Sequence, residues 1–255
     1  MLPILVICAV AFLTSILTFF SGFGLGTILT PVFAIFFPIE IAISLTAIVH
    51  FLNNIFKLFL VGVSTEKEII LKFGIPSLLF AYAGAMMLMN LLSSITFDFQ
   101  FSIFKTNLIN IIIGSVILFF TLIEVAPFIS KIQFDRKYLF IGGSLSGFFG
   151  GLSGNQGALR TMFLSKSNLT KEAFVSTGIT LACMVDVSRL FVYSEKYFAK
   201  SVPENLHLLI PATLSAFAGA FIGSKFLKKV TMKFIQIIVT IFLSTISVLL
   251  ILGVI

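Results

Sequence analysis

The sequence predicts an all-α polytopic membrane protein made of two homologous halves. Each half holds a glycine-broken membrane segment and three spanning helices, and the halves are related as an inverted repeat. Three observations predict this. The 255 residues are 58% hydrophobic and only 11% charged, where a soluble domain carries about a quarter charged. Blocks of the first half recur, in order, in the second. The loop Lys and Arg segregate to one side only if each broken segment returns to the side it entered.

The elements follow in order. An apolar stretch over 2–37 begins without a basic start and runs on into more apolar chain, so it reads as a membrane segment and not a cleaved signal. Runs at about 40–63, 70–92 and 104–126 are each long enough to cross about 30 Å of hydrocarbon. The polar loop PFISKIQFDRK (127–137) ends the first half, 1–126. The second half, 138–255, repeats the plan: a broken stretch at 138–164, then runs at about 171–193, 205–226 and 232–254. Alternating ten-residue barrel strands are not seen, and no soluble domain fits in the short loops.

The repeat is visible by eye. IPSLLFAYAGA (75–85) matches IPATLSAFAGA (210–220). IFKLFL (55–60) aligns with VSRLFV (187–192), pairing Lys57 with Arg189 and Asn54 with Asp186. SGFGLG (21–26) aligns with GLSGNQ (151–156), with Gly24 opposite Gly154. The offsets drift only from 130 to 135. With one crossing per broken segment the loop bases divide evenly and orient nothing. With a return, Lys67, Lys72, Lys131, Arg136, Lys137, Lys166, Lys171, Lys225, Lys228, Lys229 and Lys233 share one side. Lys105, Lys196 and Lys200 face the other. That split satisfies the positive-inside rule and puts both termini outside. A shallow re-entrant hairpin and two full crossings give the same tally.

The stretch GGLSGNQGALR (150–160) is polar for membrane sequence. A helix that stops inside a bilayer leaves unpaired N–H groups at the next start, tolerated only within protein or beside a watery cavity. Those groups carry positive partial charge and suit an anion. Inverted repeats with broken helices are common in secondary transporters. Candidate substrate-binding residues are therefore Gly22, Gly24, Gly26 and Thr27 in the first half, and Gly151, Ser153, Gly154, Asn155, Gln156, Gly157 and Arg160 in the second. The competing explanation is close helix packing, since Gly22 and Gly26, and Gly143 and Gly147, are four apart. Packing does not require Asn155, Gln156 or Arg160.

Three bases fall outside the loops: Lys57, Arg160 and Arg189. Each costs about 2.5–3.5 kcal/mol at mid-bilayer on insertion scales. Lys57 and Arg189 can snorkel to the headgroups, or act with Asn54 and Asp186 in gating or coupling. Asp186 is three residues before Arg189, so the two share a helix face. Arg160 follows the second break directly, where the first half has Thr30. Its planar guanidinium suits an oxyanion; the alternatives are pairing with a distant acid such as Glu124 or Asp186, or lying near the interface. His50 is one turn before Asn53 and Asn54 and can face a cavity, whereas His207 reads as interfacial. Glu40 and Glu172 read as helix-start caps. Asn53, Ser44, Thr46, Ser176 and Thr177 are weaker cavity candidates. Cys183 is one turn from Asp186. Cys8 and Cys183 show neither a disulfide framework nor zinc spacing, and no metal or other cofactor is expected.

The motifs SGFGLGTILTP and GGSLSGFFGGLSGNQGALR, with the paired P-x(7)-G-A blocks at Pro76–Ala85 and Pro211–Ala220, resemble the TauE/SafE family of sulfite exporters. That family is also called the 4-toluene sulfonate uptake permease family. The resemblance covers essentially the whole chain. It implies a bacterial inner-membrane transporter of small sulfur-containing anions: sulfite, sulfoacetate or related sulfonates. It maps the family's glycine clusters onto Gly22, Gly24 and Gly26, and onto Gly150, Gly151, Gly154 and Gly157.

The expected function is export of such an anion by alternating access. An inside-negative potential favours outward anion movement by about 2.3 kcal/mol per charge per 100 mV. An anion channel, or a carrier of another small organic anion, would have the same sequence features. A membrane enzyme would need a nucleophile, metal cluster or carboxylate pair, and none is seen. Cation transport is disfavoured by the shortage of intramembrane acids. Expected partners are a small anionic substrate and the lipid bilayer, with a homodimer left open. Nucleic acid is not expected, because the bases that give a net charge of +7 lie in short loops beside spans.

Overall fold

A computed structural model describes residues 1–19, 25–94, 98–101, 104–125, 134–194, 199–226 and 232–254. Helices dominate it: α1 (Leu2–Leu17), α2 (Leu25–Ala34), α3 (Ile39–Val61), α4 (Lys67–Ile69), α5 (Ile75–Ser94), α6 (Leu108–Val125), α7 (Leu139–Ser153), α8 (Gly157–Leu164), α9 (Lys171–Tyr193), α10 (Ala199–Glu204), α11 (Leu206–Phe226) and α12 (Met232–Leu252). A π-helical stretch, Ile70–Gly74, joins α4 to α5. Four helical stretches are long and apolar enough to cross a membrane: Ile39–Val61, Lys67–Leu92, Lys171–Tyr193 and Leu206–Lys225.

Helices occupy the expected runs, with one correction. The run at 104–126 does not begin as a helix. Strands β1 (Asp98–Phe101) and β2 (Phe104–Asn107) form an antiparallel pair with Phe101 opposite Phe104. Helix α6 starts only at Leu108, where the Asn107 side chain accepts a 2.7 Å hydrogen bond from the Asn110 N–H. An N-cap of that type satisfies one of the helix's orphan donors and favours a start there.

Two close seams organise the bundle. On α7, Gly143, Gly147 and Gly151 lie against the carbonyl oxygens of Phe73, Ser77 and Ala81. On α5, Gly84 lies against that of Phe148. Any side chain at these glycines would overlap backbone. The second seam joins α1 to α11: Gly219 receives the Phe12 carbonyl, and Gly223 the backbone of Ile16. Small residues let helices approach where lipid supplies no hydrophobic drive. Helices α3 and α9 pack against each other, as do α6 and α12. The outer faces of α5 and α11 expose Leu79, Met86, Ile210, Leu214 and Phe221, as lipid-facing surfaces do.

The second broken segment is a hairpin. Phe163, near the end of α8, fills the space beside Gly142, near the start of α7. The flanking chains meet too: Lys166 pairs with Asp135 at 2.5 Å, and Arg136 donates to the Ser167 carbonyl at 2.6 Å. Arg136 also reaches Glu68 at 2.6 Å, and Glu68 accepts from Lys72 at 2.8 Å. Bases expected to share a side therefore do share an end here. The arms, of 15 and 8 residues, are each shorter than the roughly 20 that a full crossing needs. The glycines of the first break, Gly22 and Gly24, lie outside the described residues.

Candidate functional site

The α7–α8 break is held from within. Gly154 caps α7 with φ +78°, a left-handed conformation glycine adopts without a Cβ penalty. A side chain there would also press on the Arg189 guanidinium, 3.2 Å from where its Cβ would stand. Ser146 Oγ donates to the Gln156 carbonyl at 3.2 Å, and the Asn155 N–H donates to Ser153 Oγ at 3.3 Å. Gln156 is the N-cap of α8 but makes no side-chain cap bond. Its buried Nε2 has no hydrogen-bond partner among the described residues.

Beside this break lies a cavity. Its polar lining includes Thr18, His50, Asn54, Lys57, Gln156 and Arg160, and Leu25, the first residue of α2, borders it as well. The cavity has about 50 Å³ of internal space; one water needs at least about 10–15 Å³ on that measure. A small oxyanion fits this scale better than a large organic ion. Two formal cations, Lys57 and Arg160, line it, and among the described residues no carboxylate does. The start of α8 at its N-cap Gln156 borders it, so backbone partial charge adds to the side-chain charge.

A buried acid lies behind the lining. Asp186 is fully buried. Its Oδ2 is 2.6 Å from His50 Nδ1, and its Oδ1 accepts from Arg189 Nη1 at 3.3 Å. Asn54 Nδ2 is 3.4 Å from the same Oδ2 and 3.2 Å from His50 Nε2. With the Nδ1 proton donated to Asp186, Nε2 is the acceptor for Asn54. Tyr193, on the same helix, donates its hydroxyl to the Gly151 carbonyl at 3.1 Å, tying α9 to the break.

The expected residues divide accordingly. Gln156, Arg160, Lys57 and Asn54 meet at the cavity. Gly26 lies against the His50 ring, which is close enough to leave no room for more than a methyl. Gly151 faces α5 instead, so packing accounts for it. Ser153 bonds back to the Phe149 carbonyl at 3.0 Å, and Thr27 and Asn155 are buried away from the cavity lining. Gly157 opens α8. Snorkelling does not describe Lys57 or Arg189, which are 3% and 0% exposed; Lys57 turns inward to Thr18 Oγ1 at 3.4 Å. Asp186 and Arg189 pair as their spacing predicts. Ser176 and Thr177 are not at the cavity: they accept from the Ser64 and Glu66 N–H groups and fix the chain after α3. His207 is exposed, and the Glu124 side chain lies outside the described residues. The sequence reading missed Thr18, Thr161 and Gly178 in the lining. The run TSILT (14–18) was a signal, since three hydroxyls in five membrane residues want partners.

The chain is thus a helical multi-pass membrane protein with a buried, cation-lined cavity at a broken helix. Residues 7–250 match the family model Sulfite exporter TauE/SafE, and the chain belongs to that family. No curated protein and no solved structure matches it.

Proposed function

We propose that this chain carries small sulfur-containing anions (sulfite, sulfoacetate or related sulfonates) across a bacterial inner membrane, by alternating access and in the outward direction. The halves 1–126 and 138–255 act as an inverted repeat, and 127–137 links them. The observation that carries this reading is the cavity itself: Lys57 and Arg160 line it, no carboxylate among the described residues does, and the start of α8 borders it. Guanidinium and ammonium donors with a buried, unpartnered amide at Gln156 Nε2 match an oxyanion that accepts on several oxygens. The exchanged seams support the inverted repeat. Helix α5 packs on α7, the first helix of the second half, and α11 packs on α1, the first helix of the first, with like glycines, Gly84 and Gly219, at the contact.

Flux from liposomes loaded with sulfite, under an imposed potential of either sign, tests this. Potential-dependent sulfite movement that empty liposomes lack is the expected result. Flux of sulfoacetate alone keeps the mechanism and moves the substrate. Silence for both anions overturns the proposal. Unitary currents would make it a channel.

A further inference from the structure

We infer that His50 is a proton-binding site coupled to the anion cavity, so that one proton binds and travels with each anion. This rests on the anion reading above and goes beyond it: a dianion carried with one proton still moves one net negative charge, so its flux stays potential-dependent. His50 is 2% exposed, lines the cavity, and holds Asp186 at 2.6 Å through Nδ1. It thus both borders the anion space and touches the buried acid, as Asn54 does at 3.4 Å, and of those two side-chain types only histidine takes up a proton near neutral pH.

The groups around it set the sign of the coupling. From α9 come Asp186 and Arg189, with Cys183 one turn before and Tyr193 two turns beyond. From α8 comes Arg160, and from α3 itself Lys57. Helix α2 brings Gly26 to the ring and no titratable group. The titratable residues of α11, His207 and Lys225, are near its ends. Lys57 and Arg160 line the cavity that His50 borders, so an anion held between them adds negative charge beside the ring, and opposite charge favours a protonated imidazole. Proton and anion therefore strengthen each other's binding, and by linkage the effect is reciprocal.

The hydrogen bonds allow both protonation states. Neutral His50 donates from Nδ1 to Asp186 and accepts at Nε2 from Asn54. Protonated His50 keeps the first bond and becomes a donor at Nε2. That proton can go to the Asn54 amide oxygen after a flip of the amide, or to an anion oxygen. No bond other than the N–H bond forms or breaks. The proton comes from water on one side and leaves to water on the other.

The chain has two histidines, so ring-nitrogen NMR of histidine-labelled protein gives two pairs of signals, one pair per ring, and His207→Gln assigns them. At fixed neutral pH, sulfite and then sulfoacetate are added, and binding is followed in parallel by calorimetry. The expected result is that the His50 signal moves to the protonated form as either anion binds. An anion that binds while His50 stays neutral overturns the coupling and leaves the anion reading standing. Binding of neither anion overturns both. In liposomes held at zero potential, one proton per anion means that a pH gradient of about one unit sustains about a tenfold sulfoacetate gradient. His50→Gln should sustain none. A tenfold gradient in that variant contradicts the assignment. Should His50→Gln fail to fold, the wild-type NMR result still decides.

Discussion

The α5–α7 seam and the α1–α11 seam are built alike, whereas the polar interiors of the two halves are not. Gly84 and Gly219 come from matched blocks, and each receives a carbonyl of a phenylalanine, Phe148 or Phe12. Behind these seams the halves diverge. Arg160 lies beside Gly178, with its Nε 3.6 Å from where a Cβ would stand; the matched positions in the first half are Thr30 and Thr46. Asp186 stands where the first half has Asn54. Shared glycines therefore describe the scaffold, and the unshared polar residues describe the chemistry. A buried charge is expensive, so a duplicated chain keeps one only where something needs it.

The strongest way to break this comparison is at the seams. Gly147→Leu drives a side chain into the Ser77 carbonyl, and Gly219→Leu does the same at Phe12. Both should exceed the about 1–3 kcal/mol of ordinary overpacking and yield no monodisperse protein by size-exclusion chromatography. A normal Gly219→Leu beside a failed Gly147→Leu would show that the seams are not equivalent.

Removing the asymmetric acid comes next. Asp186→Asn leaves Arg189 buried without its carboxylate and should cost about 3–5 kcal/mol of stability, read as a lowered melting temperature. Asn54 Nδ2 is already 3.4 Å from Asp186 Oδ2. The exchange Asn54→Asp with Asp186→Asn should therefore recover at least half of the loss. No recovery would mean that Arg189 needs the acid on its own helix.

A milder change sharpens the cavity. Gly178→Ala places a methyl in ordinary contact with Arg160. The melting temperature should stay put, and anion affinity should change by less than about tenfold, a loss under about 1.4 kcal/mol. The smallest effect is at the shared end of the hairpin. Lys166 beside Asp135 holds its carboxyl below the usual 3.8. The stability this gives is present above that value and is lost as pH falls through the lower folded one. The pair is half exposed and screened. Asp135→Asn should lower the melting temperature at neutral pH only slightly, and the two proteins should melt alike in acid, where the parent has lost the pair as well.

Much of this was legible in sequence because membrane composition, repeat spacing and basic-residue placement are local signals. The expected spans fall close to α3, α5, α6, α9, α11 and α12, and the second break falls at Ser153–Gln156. Arg160, Gln156 and His50 were recognisable as polar residues with no business in lipid. The inward turn of Lys57 was not legible, because snorkelling and burial need the same sequence position near a helix end. The His50–Asp186 contact links residues 136 apart, and nothing local announces it. The role of Gly151 was obscured because packing glycines and binding glycines share one spacing, and only the neighbour, here the Ala81 carbonyl, separates them.

The central claim is that Arg160 holds the anion in the cavity. Sulfite and sulfoacetate efflux from liposomes, with wild type and Arg160→Gln reconstituted side by side, tests it most directly. A charge-assisted hydrogen bond contributes about 1.5–3 kcal/mol, so the account expects at least about a tenfold loss of efflux with an unchanged melting temperature. Efflux equal to wild type from folded Arg160→Gln protein would contradict it.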